Sequence, residues 1–117
     1  MAGFKLDEAW TFAAAAGADL SSSVNRFVKL NSSGEVVLCG ADEKPLGTLF
    51  EAAALGAAAS VAMGAILKVV ASAAISKGDR VASAASGKAK TGTTNPAGIA
   101  LTSAAADGEV ISVAMVG

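Results

Sequence analysis

Apolar and polar positions alternate along this chain in short segments, and clusters of turn residues separate them. Within residues 25–30, Val28 and Leu30 fall on one side and Lys29 on the other, a period of two that predicts a strand. Asn31-Ser32-Ser33-Gly34 predicts a turn, with Gly34 suited to positive φ, and residues 35–39 return as a second strand to close a hairpin. Residues 40–45 form a polar loop with Asp42-Glu43-Lys44 as its solvated tip, and residues 46–50 and 57–63 read as strands. Residues 66–70 are rich in β-branched side chains and are expected to cross between two halves of the chain. Beyond them the theme returns. Residues 80–83 and 88–91 flank a Ser86-Gly87 turn, a loop runs over residues 92–96, and residues 98–101 and 109–115 close the series.

The return is an internal repeat. Ser60-Val61-Ala62-Met63-Gly64 comes back as Ser112-Val113-Ala114-Met115-Val116-Gly117. Pro45-Leu46-Gly47-Thr48-Leu49 answers Pro96-Ala97-Gly98-Ile99-Ala100-Leu101, and the Ser-Gly pair ending at Gly34 answers the one ending at Gly87. The period is roughly 50 residues, with pseudo-repeats at 16–64 and 65–117. Gly34, Gly87, Gly47 and Gly98 recur at matching places and are expected to be structural turns. Two units of this size are marginal alone, so a single β domain over residues 16–117 is expected, preceded by a distinct segment at residues 1–15. Many short strands with glycine-rich turns predict an all-β sandwich or small barrel. The abundance of alanine pulls toward a helical bundle, but Val61, Val110 and Val113 beside the alanines favour strands.

Composition removes several function classes. The chain of 117 residues carries 9 basic and 10 acidic side chains, so no basic face for nucleic acid is expected. Histidine is absent and Cys39 is the lone cysteine, which excludes the usual zinc sites and His-assisted nucleophiles. The carboxylates are scattered, and Asp42-Glu43 is too sparse a donor set for a hard cation. No catalytic, cofactor or metal site is expected. Residues 52–75 are long and apolar enough to raise a membrane span. Lys68 within them, and Asp107 and Glu109 in the repeated counterpart, argue against it. No secretory signal is expected, because Asp7 and Glu8 follow Lys5 with no apolar run between.

The segment before the repeats has its own character. Phe4, Leu6, Trp10 and Phe12 crowd large apolar groups into its first twelve residues, alternating with Lys5, Asp7 and Thr11. Two readings stand. The segment is an edge strand covering the core, or an arm that anchors on a partner.

Taken together, Gly78-Asp79-Arg80-Val81, Ser86-Gly87-Lys88, Pro96 to Leu101 and Ala104 to Val113 resemble the small capsid decoration, or cement, proteins of tailed bacteriophages. More narrowly, the pattern is similar to a family described as a domain of unknown function. The resemblance spans about residues 16–117 and rests on the order of soft motifs; Glu51 to Ser60 departs from it by its run of alanines. It implies a β-tulip-like barrel head, a homotrimer on the capsid exterior, and the major capsid protein as partner. It also implies that the N-terminal segment, through Phe4, Leu6, Trp10 and Phe12, is the capsid-binding arm. A biotinyl- or lipoyl-carrier module is the alternative small β-fold of two halves. No lysine stands beside Met63 or Met115 where such a module would carry it.

Overall fold

The computed structural model describes residues 10–116, and for Trp10 only the backbone. Ten strands account for nearly all the regular structure. They are β1 (Trp10–Ala15), β2 (Phe27–Leu30), β3 (Val36–Leu38), β4 (Gly47–Glu51), β5 (Ala58–Met63), β6 (Ile66–Val70), β7 (Arg80–Ser83), β8 (Ala89–Thr91), β9 (Gly98–Ala100) and β10 (Val110–Met115), with one 3-10 turn at Ala85–Gly87. They build two five-stranded antiparallel sheets, ordered β1-β5-β4-β2-β3 and β6-β10-β9-β7-β8. The order is the same in both once each strand of the first half is matched to the strand five places on. The fold is therefore all-β and composed of two tandem halves.

The expected barrel is corrected to a sandwich-like pair of sheets. Each sheet curls until its edges touch at one parallel bridge, Ala16 to Val36 in the first half and Ala71 to Ala89 in the second. A single bridge does not continue the ladder, so neither sheet closes. Alanine suits this geometry. Ala16, Ala59, Ala71 and Ala89 are fully buried where curled strands come too close for larger groups.

The repeat is deeper than its sequence signal. Backbone hydrogen bonds recur pair by pair: Asn25 N–H to Leu49 O matches Gly78 N–H to Ala100 O, and Gly56 N–H to Ala16 O matches Gly108 N–H to Ala71 O. Asn25 and Gly78 both take positive φ, as do Gly34 and Gly87. The sequence expectation that residues 66–70 cross between halves is replaced by a plainer role. β6 is the edge strand of the second sheet, paired with β10. Its counterpart is β1, paired with β5 over residues 10–15, which makes the last part of the expected arm the first strand of the first repeat. Residues 13–15 belong to that strand: Ala13, Ala14 and Ala15 pair with Ser60, Ala59 and Ala58.

Two apolar clusters result. Leu20, Val28, Val36, Leu49 and Val61 fill the first half. The second is built from Val69, Val81, Ile111 and Val113, and takes Phe27 and Cys39 from the first half. Phe27 is fully buried and reaches across from the first sheet into the apolar cluster of the second half. Burying a phenylalanine contributes about 1.5–3 kcal/mol, a sizeable share for a chain of this size.

Candidate interaction surface

Polar chemistry is spent on structure. Asp42, expected at a solvated tip, instead bridges the halves: its carboxylate lies 2.9 Å from Lys90 Nζ, and its carbonyl accepts from Asn95 Nδ2 at 2.9 Å. Lys44 Nζ donates to Pro96 O at 2.9 Å from the same loop. Glu43 accepts from Lys29 Nζ at 2.8 Å and from the Gly40 N–H. Among the described residues no cluster of acidic or thiol groups could hold a metal ion. Nor is any described helix long and apolar enough to cross a membrane. Residues 52–75, which raised that reading, contain strands β5 and β6. Cys39 is buried, and that burial, reinforced by the Glu43 charge, pushes its thiol up to about 11. It is a core side chain, largely un-ionised at neutral pH.

The Lys29 hydrogen bond, then that of the Gly40 N–H, holds the Glu43 carboxyl below its ordinary value of 4.5. A carboxyl whose pKa is depressed by folding adds stability that is complete above the unfolded value and fades as pH falls through the folded one. Acidifying from about pH 5 to about pH 3 should therefore lower the melting temperature more in the parent than in Glu43→Gln. The difference should be modest, because Lys29 and Glu43 are both partly solvated.

The expected turn glycines divide into two kinds. Gly34 and Gly87 take φ of +77° and +74°, the left-handed region that other residues resist. Gly47 and Gly98 do not turn the chain; they open β4 and β9. A Cβ on Gly47 would collide with the Ala62 carbonyl oxygen, and one on Gly98 with the Ala114 carbonyl oxygen. They recur in both repeats because each strand passes a neighbouring backbone too closely for any side chain.

Beside these polar contacts, large apolar side chains stand exposed. Among the described residues β1 pairs with β5 alone, so one of its edges has no ladder partner there. Phe12 lies on it, 39% exposed, with Val61 opposite. Phe4 and Leu6 fall outside the described residues. Phe50 is 55% exposed at a bulge between Leu49 and Glu51, a feature alternation along residues 46–50 does not announce. Beside it a cleft of about 220 Å³ opens between β4 of the first half and β6 of the second, walled by Thr48, Ala62, Ile66 and Leu67.

An edge strand carrying exposed apolar groups is able to pair with another chain. The phage cement protein family matches residues 7–115, almost the whole sequence. This chain belongs to that family. The cement protein is thus a structural protein of the phage virion, associated with the capsid. Among solved structures it is similar to the N base of the head fiber gp8.5 of bacteriophage phi29, with a TM-score of 0.75 and 18% identity over 93% of this chain and 95% of that one. At that identity the likeness is one of fold. No curated protein matches significantly.

Proposed function

We propose that this protein decorates the outside of an icosahedral phage capsid and stabilises it by binding the major capsid protein. The observation that carries the reading is the joining of two features in a chain of this family: a run of large apolar side chains begins at Phe4 and Leu6, ahead of the family match, and continues through Trp10 and Phe12 in the edge strand β1. Strand pairing supplies affinity through backbone hydrogen bonds, and alternate side chains supply selectivity. The protein acts as a homotrimer, so three weak attachments add by avidity. It takes no cofactor and catalyses nothing. It folds in the host cytoplasm and joins the shell from outside.

Quantitative mass spectrometry of purified particles tests the role. A copy number comparable to that of the major capsid protein is expected. Absence from the particle, with the chain abundant in the infected cell, would overturn the reading.

A further inference from the structure

The way the two halves of one chain meet can be extended by the repeat itself. β6 of the second half lies against the back of the first sheet. Val70 N–H donates to Asn25 O at 2.8 Å, and Ile66 and Leu67 wall the cleft over Thr48 and Ala62. Under that cover Thr48 is 2% exposed and Ala62 4%.

Register assigns each of these residues a counterpart. Asn25 corresponds to Gly78, Thr48 to Ile99 and Ala62 to Ala114, since Thr48–Ala62 and Ile99–Ala114 are equivalent cross-strand pairs. Val70 corresponds to Ala15, because Ala71 and Ala16 each form the bridge that follows. The covering strand β6 thus has an equivalent, β1, that covers no second sheet among the described residues. The covered band likewise has an equivalent, Gly78–Ile99–Ala114, on which no described strand of this chain lies. Ile99 and Ala114 are partly exposed where Thr48 and Ala62 are buried. An isoleucine in the uncovered place and a threonine in the covered one is the reverse of what a free surface favours.

We infer that β1 of one copy packs on the Gly78–Ile99–Ala114 band of the next, repeating between chains the contact that β6 makes within one. The inference rests on the homotrimer reading and names the surfaces that would form it. The contact is heterologous, since two different patches meet, and such contacts close into a ring when the rotation allows. Ala15 N–H would donate to Gly78 O of the neighbour. Arg80 stands where Phe27 stands in the first half. It is exposed, which keeps the band hydrated in a free chain and makes this contact more separable than the internal one. The contact engages β1 toward Ala15 and leaves residues 1–12 for the shell.

Paired cysteines test it. Ala15 and Lys77 are both exposed, and the native Cys39 is buried. The full chain carrying Ala15→Cys with Lys77→Cys, oxidised under copper–phenanthroline, should give covalent dimers and trimers on a non-reducing gel. Each single variant should run as a monomer on that gel, because in this contact residue 15 meets residue 77 of the next copy and neither meets its own counterpart. Crosslinking by either single variant would overturn the inference in favour of a two-fold contact. An oligomer by light scattering that the double variant fails to crosslink would overturn it while leaving the trimer standing. A monomer at every concentration and on particles would overturn both. As a second measure, Ile99→Glu should weaken self-association by about tenfold or more at unchanged melting temperature, because it would bury an unpaired charge in the contact. Unchanged association would count against the band.

Discussion

Gly98→Val is expected to unfold the protein or to leave it barely stable. A Cβ at this position meets the Ala114 carbonyl oxygen, with the Ala114 carbonyl carbon next to it. The obstacle is backbone, so no side-chain rotation relieves it. β9 lies between β10 and β7, so moving it away breaks Gly98–Met115 and Gly98–Val81 pairings together. Losses above about 4 kcal/mol belong to the exceptional class of substitutions, and a domain of this kind has only about 5–15 kcal/mol to lose. Gly34→Ala provides the contrast. Its φ of +77° is unfavourable for alanine, but a Cβ there meets nothing within 4 Å. The cost should be about 1–2 kcal/mol, the strain of one residue in the left-handed region. Thermal melts of the two variants check both figures, and a Gly98→Val protein that melts like the parent would mean that β9 does not run where the structure has it.

Removing residues 1–9 should abolish binding to capsids while the isolated protein keeps its β circular dichroism and melting temperature. The cut falls before β1, so the ladder from Trp10–Met63 to Ala15–Ala58 and the described members of both apolar clusters are kept. Phe4 and Leu6 go with the segment, and a trimer loses three attachments at once, so the loss of affinity should far exceed that of one arm. Sedimentation with purified shells reads the binding. A truncated protein that still sediments with them would move the attachment to another face. A deletion extended through Ala15 is a different experiment, since it removes an edge strand and exposes Val61 and Ala59.

Several features were legible along the chain because they are local. Alternation at Val28 and Leu30 marks a half-buried strand, and Ser33-Gly34 and Ser86-Gly87 mark turns through the conformations glycine permits. The repeat showed where both copies kept the same small residues, as in Ser60–Met63 and Ser112–Met115, which became β5 and β10 at equivalent places. The equivalence of β1 and β6 was not legible. Trp10-Thr11-Phe12-Ala13-Ala14-Ala15 and Ile66-Leu67-Lys68-Val69-Val70 share no residue pattern, because an edge strand is held mainly by backbone pairing and its side chains answer to different neighbours.

The sequence by itself determined an all-β chain of two tandem halves without histidine chemistry, since period, turn residues and composition act within a few residues or over the whole chain at once. Tertiary structure alone decided that the sheets stay open, that Phe27 belongs to the core of the other half, and that Asp42 ties the halves through Lys90. It also decided that Gly47 and Gly98 answer a close backbone and not a turn. Each of these depends on which distant strand arrives beside a residue, and a pattern of neighbours in sequence carries no record of that distance.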